Sequence, residues 1–446
     1  MNNNKNIPNP MFYLAAGSKP IAQSAKGIYI TADDGKSYMD AASGAIVCQL
    51  GHSHPKIIEA IKKQVLELQF SYRTQFENQP AIDLANMIVE KTNPELDRVF
   101  FVSGGSEAVE SAMKLIRQYH FANGDESRSV FISRVPSYHG CTMGVLALTG
   151  YEPLNRPFTP MFQFYPKVKS PTQYRIPEGM TQEEYGLVCA NEVETAILET
   201  GTENVAGFVA EPIGGASSGA EVPHDIYFPR VQEICKQYDV PIILDEVMTG
   251  IGRTGKMFGY NHWNIDSDVI CLAKGLGAGY YPVAAIVAKD KFVHPVMESG
   301  GFMHGFTYAG NPFGCAVGCA VLKTIEEENL VENSRIQGEY LLAEIKTQAE
   351  NYDWIGDVRG RGLLMAIEYA NKKTKDPFPD EWQVGEAITQ VAYNLGLIIY
   401  PKKSHDGTTG DHTLVTPPLI ISREESDKLL NLLAQTFESY DKIIDL

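Results

Sequence analysis

The chain has 446 residues, of which 44% are hydrophobic and 21% charged, and its formal net charge is -17. This is the composition of a globular protein with enough apolar residues for a large core. The acidic balance disfavours nucleic acid or an anionic membrane surface as a general partner. No stretch approaches the roughly 18 consecutive apolar residues of a membrane span.

The first residues and the cysteines indicate a cytoplasmic protein. Met1–Pro10 is polar and contains no apolar signal core. The seven cysteines are scattered without a Cys-x-x-Cys pair, which is typical of reduced thiols. His52 and His54 lie in a short break, and no further ligand cluster is evident nearby, which favours a loop over zinc. The sequence predicts no metal site.

Apolar and turn patterns predict a hairpin, a helix and then a long alternation of helices and strands. The hairpin spans Ile28–Asp40 around Asp34-Gly35, and the helix spans Pro55–Leu68. Between residues 80 and 330, short uncharged runs alternate with helical patterns, which favours an α/β fold with a mostly parallel sheet covered on both faces. The clearest strands are 98–102, 129–133, 205–210, 240–244, 269–273 and 282–288, and the clearest helices are 107–121 and 227–238.

The remaining segments suggest a second, smaller domain. Residues 152–184 are rich in Pro, Phe and Tyr, and we interpret them as an insertion near the site or a loop that contacts another subunit. After about residue 330 a helix is followed by strands at 358–368 and 397–400. The predicted division is an N-terminal segment 1–60 that packs with the small domain, a large domain 61–330 and a small α+β domain 331–446.

A single lysine follows one of the predicted strands. In open parallel sheets, ligands bind outside the carboxyl ends of the strands. Lys274 comes directly after the uncharged strand 269–273 and is followed by glycines, which allow close approach of a ligand. An ammonium there is costly to desolvate, so this position suits a partly neutral amine that forms an imine with a carbonyl. The alternative is a lysine that extends from the strand end to solvent.

Other strands end in residues that suit the same ligand. Ser103-Gly-Gly-Ser106 opens a helix whose free N–H groups suit a phosphate, although a plain helix cap would look the same. Tyr138 is suited to cover a flat ring, and Glu211 and Asp245 each end a strand. An imine lysine, a phosphate site, a stacking ring and an acid beside a ring nitrogen together predict pyridoxal phosphate as cofactor.

Two glycine-rich stretches are not nucleotide-binding motifs. The stretch 250–256 has the spacing of a P-loop, but Met257 follows in place of the Ser or Thr that would hold magnesium. The glycines of 275–279 have the wrong spacing for a dinucleotide fingerprint, and no helical pattern clearly follows them. Neither stretch therefore points to a second cofactor.

The motifs around these residues resemble the class III aminotransferases. Leu244-Asp-Glu-Val-Met-Thr-Gly-Ile-Gly-Arg-Thr-Gly255 and the Ala-Lys-Gly-Leu-Gly surrounding Lys274 carry the likeness, which extends from the Gly27 hairpin to Pro417-Pro-Leu419. The resemblance implies a fold-type I transferase that forms a homodimer or a tetramer, with its sites at the subunit interface. Further matching motifs are 103–114, Tyr138-His-Gly140, Glu211-Pro212, 305–312 and 358–363.

The resemblance also implies a role for individual residues. Lys274 is expected to be the Schiff-base lysine, Asp245 the partner of the pyridine nitrogen, and Glu211 a neighbour of both. The implied reaction is a ping-pong transfer in which Lys274 moves a proton as general base and acid. The implied cofactor contacts are Gly105 and Ser106 at the phosphate, Val247 below the ring, Tyr138 above it and Thr307 from the partner subunit, with His139 matching the motif in a less clear role.

Departures from the family pattern bear on the substrate. Cys141, the stretch Thr413–Thr416 and Tyr400 stand where many members have an arginine, the usual fork for a carboxylate. Pyruvate is therefore favoured over 2-oxoglutarate as acceptor, with an ω-amino acid or amine as donor. The candidate substrate residues are Arg73 and Tyr400. Arg73, Lys402 and Lys403 are each suited to bind an acid, but solvated surface charge is the favoured interpretation.

Two other functions stay open at this point. The same fold resemblance covers epimerases, aminomutases and decarboxylases that use pyridoxal phosphate without a keto acid. A non-catalytic protein is the third possibility, but it would be expected to lack Lys274, Asp245 or the Ser106 loop. All three are present in this chain.

Overall fold

The computed structural model describes residues 19–403 and 410–444. Met1–Pro10 and the rest of residues 1–18 in the predicted N-terminal segment lie outside the described residues. The strands of the described part are β1 (Ala22–Lys26), β2 (Tyr29–Ala32), β3 (Ser37–Asp40), β4 (Leu96–Val102), β5 (Val130–Val135), β6 (Lys167–Lys169), β7 (Val205–Ala210), β8 (Ile242–Asp245), β9 (Val269–Leu272), β10 (Ala284–Lys289), β11 (Ile355–Arg361), β12 (Leu364–Tyr369), β13 (Leu397–Ile398), β14 (Tyr400–Lys402) and β15 (His412–Val415).

The helices alternate with these strands along the chain. Within the described ranges, none of them is both long enough and apolar enough to cross a membrane. The helices are α1 (Ser43–Ile46), α2 (Pro55–Glu67), α3 (Gln79–Val89), α4 (Gly105–Ala122), α5 (Met143–Leu148), α6 (Glu152–Asn155), α7 (Gln182–Thr200), α8 (Tyr227–Gln237), α9 (Asp290–Glu298), α10 (Pro312–Glu327), α11 (Leu330–Ala349), α12 (Val384–Asn394) and α13 (Arg423–Asp441).

A seven-stranded sheet forms the centre of the large part of the molecule. Its strand order is β4-β10-β9-β8-β7-β5-β6. The pairs from β9 through β8, β7 and β5 to β6 are parallel, while β10 is antiparallel to both of its neighbours. The predicted mostly parallel sheet is therefore confirmed, and the strands that precede Lys274 and Asp245 are adjacent in it.

The central strands β7 and β9 are apolar at every position because the sheet is covered on both faces. In β9, Val269 and Cys271 pack into a core cluster with α4, whereas Ile270 and Leu272 belong to a second cluster with α7 and α8. Successive side chains of a strand point to opposite faces. The uncharged runs in the sequence thus reflect burial on two sides rather than one.

Two four-stranded sheets accompany the central one. One has the order β1-β2-β3-β13 and the other β11-β12-β15-β14. The predicted hairpin is formed by β2 and β3, and β13 from the C-terminal part pairs parallel to β3 through Leu397 and Met39. The N-terminal hairpin and the C-terminal segment thus share a sheet, while the domain boundaries at residues 60 and 330 stay a prediction.

Part of the segment 152–184 belongs to the central sheet, which the sequence did not indicate. Lys167–Lys169 forms β6 and pairs parallel to the end of β5. This strand has a single apolar residue, the buried Val168, between two lysines. Lysines are common on edge strands because they discourage further strand pairing, and so short a strand leaves almost no alternating pattern to recognise.

Candidate active site

A cavity of about 430 Å³ lies at the carboxyl ends of the central strands. This size is within the range of small-molecule and cofactor sites. The predicted residues that line it come from the ends of β4, β5, β7, β8 and β9: Gly105, Ser106, Tyr138, His139, Glu211, Asp245, Val247 and Lys274.

Lys274 begins a single 3-10 turn directly after β9. Its backbone φ of 40° lies in the left-handed region, which is costly for a residue with a side chain and is often found at functional sites. Burial lowers the pKa of Lys274 from 10.5 to about 8, although the charges of Asp245 and Glu211 oppose that shift. A substantial fraction of this amine is therefore neutral near physiological pH, as the sequence led us to expect.

Asp245 is held in place by its neighbours. Its Oδ2 accepts a hydrogen bond from Nδ1 of His139 at 2.9 Å, and its Oδ1 accepts one from the backbone N–H of Val247 at 3.1 Å. His139 is only 2% exposed, and its Nε2 has no hydrogen-bond partner among the described residues. Both side chains line the cavity, so a carboxylate of fixed orientation faces any ligand there.

Glu246 follows Asp245 in sequence but faces away from the cavity. Its Oε1 accepts a hydrogen bond from the N–H of Tyr260 at 2.7 Å, and its Oε2 accepts one from the N–H of Gly259 at 2.8 Å. These bonds tie the strand end to a neighbouring turn. The two acids therefore divide into one that faces the ligand and one that is structural, because adjacent residues at a strand end point in opposite directions.

Glu211 bridges two loops at the edge of the cavity. Its Oε1 accepts a hydrogen bond from the N–H of Gly215 at 2.9 Å, and its Oε2 accepts one from the N–H of Tyr138 at 3.3 Å. Burial raises the pKa of Glu211, an effect that the nearby His139 partly opposes. The side chain therefore positions the tyrosine backbone while its carboxyl group remains close enough to Lys274 to act on that amine.

The first turn of α4 provides an anion site. Its N-cap residue Gly104 has no side chain to cap the helix, so the first N–H groups are left for a ligand. Ser106 Oγ accepts a hydrogen bond from the N–H of Cys141 at 3.1 Å. A Cβ atom on Gly105 would lie 2.9 Å from Cγ1 of Val247, and one on Gly140 would lie 2.5 Å from Ser106 Oγ. Both glycines thus keep the first turn close to the cavity.

The remaining predicted residues lie further from the cavity. Thr307 is exposed and is not part of its lining within one chain. Arg73 lines a separate surface pocket, where it donates to the carbonyl of His304 at 3.3 Å and lies over the ring of Phe100. Tyr400 is partly buried and lies close to Tyr138. Burial raises the pKa of the Tyr138 phenol to about 12, and Tyr400 makes a smaller contribution to that increase.

Asp40, Cys48 and His52 form a small cluster outside this cavity. Their potential ligand atoms lie within 4.8 Å of one another. Burial raises the pKa of the Cys48 thiol to about 11, so the thiolate that a metal prefers is disfavoured. Asp40 accepts hydrogen bonds from the N–H groups of Ala42 and Gly44 and from His52. These contacts give the carboxylate a structural role in the loop after β3.

Several residues that line the cavity were not predicted from the sequence, and four of them lie close in sequence to Asp245 or Lys274. Met248 and Thr249 follow Asp245, and Tyr280 and Tyr281 follow the glycines after Lys274. Their proximity in sequence to the two key residues is the signal that would have identified them.

Comparison with known proteins shows the family of this chain. The family model for class III aminotransferases matches residues 13–437. The aminotransferase YodT of Bacillus subtilis is 38% identical over 426 residues, covering 95% of this chain and 96% of that protein. Gamma aminobutyrate transaminase 2 of Solanum lycopersicum is 34% identical over 436 residues, covering 95% and 93%.

A solved structure extends the agreement to the fold. An amine transaminase from an uncultivated Pseudomonas species, crystallised with pyridoxal phosphate bound, has a TM-score of 0.91 with this chain at 31% identity, covering 98% of this chain and 100% of that one. The chain belongs to the class III aminotransferase family. It is an enzyme of fold-type I, and the predicted fold class is confirmed.

The residues present fit the cofactor of that family, pyridoxal phosphate. The uncapped helix start with Ser106 suits the phosphate, and the buried Asp245 suits a protonated ring nitrogen. The lowered pKa of Lys274 suits an amine that reacts with an aldehyde. The predicted cofactor is therefore confirmed, whereas the role of each residue toward it remains a prediction.

Proposed function

We propose that this aminotransferase moves an amino group from an ω-amino acid or amine to a keto acid, with pyruvate favoured, in a ping-pong reaction. The observation that carries the proposal is a lysine of lowered pKa at the end of β9, acted on by two carboxylates and close to an open helix N-terminus. Amino transfer through pyridoxal phosphate requires a reactive lysine, acidic groups near that lysine and the ring, and a site for the phosphate, and these three features supply them.

The residues around Lys274 would hold the cofactor in this proposal. Gly105 and Ser106 would bind the phosphate through the first turn of α4, and Asp245 would accept a hydrogen bond from the ring nitrogen. Val247 and Tyr138 would cover the two faces of the ring. His139 would act through Asp245, because its Nδ1–H donates a hydrogen bond to Oδ2 of Asp245 and so fixes the orientation of that carboxylate. When bound, the cofactor supplies an aldehyde for amines and a ring that withdraws electrons.

Lys274 would carry the proton transfer. Its Nζ, once neutral, is suited to take a proton from the amine-bearing carbon of the substrate and to return one in the opposite half-reaction. Asp245 and Glu211 would stabilise the ammonium that forms, since both charges raise the pKa of Lys274. The phenol of Tyr138 would stay protonated throughout, with its pKa near 12.

Two lines of evidence support the substrate class. Two of the similar proteins are named as a gamma aminobutyrate transaminase and an amine transaminase, which act on amino groups remote from or lacking a carboxylate. In addition, Cys141 and Tyr400 occupy places where an arginine fork would favour a dicarboxylate. A short monocarboxylate such as pyruvate therefore fits the acceptor side better than 2-oxoglutarate.

A homodimer is part of the same proposal. Thr307 is exposed and lies next to Tyr308, which packs edge to face on Phe70 with ring centroids 5.7 Å apart. These two rings are 59% and 41% exposed in the single chain, and exposed aromatic clusters of this kind favour a subunit contact. The partner's copy of this loop would then supply Thr307 to the phosphate.

A screen of donors against two acceptors tests the proposal. β-Alanine, 4-aminobutyrate and simple amines should each support alanine formation from pyruvate, and turnover with 2-oxoglutarate should be slower. Borohydride should fix the cofactor covalently to a peptide that contains Lys274. Turnover of an amino acid without any keto acid would instead favour an epimerase, aminomutase or decarboxylase of the same fold.

A further inference from the structure

Lys402 is a partly buried cation for which the structure provides no negative partner. It is the last residue of β14, and its Nζ lies 4.3 Å from the centre of the Tyr151 ring. Across the described residues, no carboxylate lies within ion-pair distance of this Nζ. The next residue differs, because Lys403 is 57% exposed and its Nζ lies 3.4 Å from Glu386.

This lack of a partner is unusual for a buried charge. A cation removed from water loses hydration energy, which proteins normally offset with a nearby anion. For Lys402, burial is the sole cause that shifts its pKa, and it lowers that pKa. A partly buried ammonium that has no nearby anion attracts an anionic ligand.

Lys402 also lies close to the active site, although it is not part of the cavity lining. Residues two apart on a strand share a face, so its side chain lies on the same side of β14 as Tyr400. Tyr400 is close enough to the cavity residue Tyr138 to affect the pKa of its phenol. The positive charge of Lys402 is itself among those that lower the pKa of Lys274. The ammonium is therefore near the place where the substrate amine reacts.

We infer that Lys402 determines specificity by binding the carboxylate of the substrate at the rim of the active site, on the side formed by Tyr151 and Tyr400. The inference rests on the proposed function and adds a substrate preference to it. The preferred donors and acceptors are those that carry a carboxylate. Because donor and acceptor occupy one site in alternating half-reactions, the same ammonium would donate hydrogen bonds to either carboxylate. No covalent step is involved.

The test compares Lys402→Met with Lys402→Arg and with Lys403→Met as a matched control. Methionine removes the charge and keeps an unbranched chain, arginine restores a cation, and the control removes an exposed lysine from the same strand end. Binding of oxamate, an unreactive isostere of pyruvate, is measured on each purified holoenzyme by titration calorimetry. KM is then measured for β-alanine against n-propylamine, and for pyruvate against acetaldehyde; in each pair the second compound lacks the carboxylate.

We expect Lys402→Met to weaken oxamate binding and to raise the KM for β-alanine and pyruvate by about tenfold or more, the usual effect of losing a charged hydrogen bond. The KM for propylamine and acetaldehyde should stay within about twofold. Lys402→Arg should recover most of the loss, and Lys403→Met should resemble the unmodified enzyme.

Two results would overturn the inference. One is unchanged oxamate binding in Lys402→Met, and the other is an equal rise in KM for the substrates with and without a carboxylate. Failure of the proposed function has a different signature. An unmodified enzyme that transfers no amino group from any donor would refute that function, while the oxamate titration would still decide the role of Lys402.

Discussion

Replacement of Lys274 tests the chemistry at the centre of this site. Lys274→Ala removes the only amine that lines the cavity in the described part of the chain. Positioned general acids and bases contribute about 10²- to 10⁴-fold to rate. We therefore expect the single-turnover rate with β-alanine to fall by at least about 10³-fold.

The pKa of Lys274 sets the expected pH dependence. At pH 7, an amine of pKa 10.5 is about 0.03% neutral, whereas one of pKa about 8 is about 9% neutral. Burial therefore raises the reactive fraction roughly 300-fold. Because the neutral form is present above the pKa, the rate should rise about tenfold between pH 7 and pH 9 and then level off.

The assay follows the cofactor absorbance after one addition of donor to the holoenzyme in a stopped-flow instrument. Lys274→Arg is the control, because arginine keeps a positive charge but stays protonated at any accessible pH. It should be as slow as the alanine variant. The reasoning is wrong if Lys274→Arg is nearly as fast as the unmodified enzyme, or if Lys274→Ala retains turnover within tenfold.

Two further substitutions test the cofactor site and the fold. Gly140→Ala should weaken cofactor binding, measured by equilibrium dialysis, about tenfold or more, because the residue has φ near 140° and its Cβ would lie 2.5 Å from Ser106 Oγ. The control is Gly124→Ala, which is strained at φ 84° but has no atom within 4 Å of its Cβ and should leave cofactor binding unchanged. Glu368→Gln should lower the free energy of unfolding in urea by about 1.5–3 kcal/mol, because it removes the buried charge that pairs with Arg359 at 2.7 Å while Asp357 and Glu221 remain as partners of that arginine. The pKa of Glu368 is lowered in the folded state, so this difference should shrink below about pH 4, and a constant difference would contradict the ion-pair explanation.

Much of the fold was predictable because burial on both faces leaves a clear trace in the sequence. The runs at 205–210 and 269–273 contain no charge, and both form central strands. The edge strand β6 left no such trace, since only Val168 of its three residues is buried. Helix α4 begins at Gly105, two residues earlier than predicted, because its glycine-rich start carries no apolar pattern.

The ligand-facing residues were predictable for a related reason. In a parallel sheet the carboxyl ends of the strands converge at one edge. Lys274, Asp245 and Glu211 therefore had to lie near one another once their strands were recognised. Which of two adjacent acids faces the ligand depends on the partners of each side chain, and those partners, such as Tyr260 for Glu246, are distant in sequence.

The sequence by itself determined the fold class, the cofactor and the strand-end residues, because regular burial and short motifs are local properties of the chain. Only the tertiary structure decided the environment of Lys402. Its sequence neighbours suggested a solvated charge, yet packing against Tyr151, about 250 residues away in the chain, leaves the ammonium partly buried and without an anion among the residues that the structure describes. The burial of a side chain depends on contacts between segments that are remote in sequence, so a local sequence pattern does not predict it.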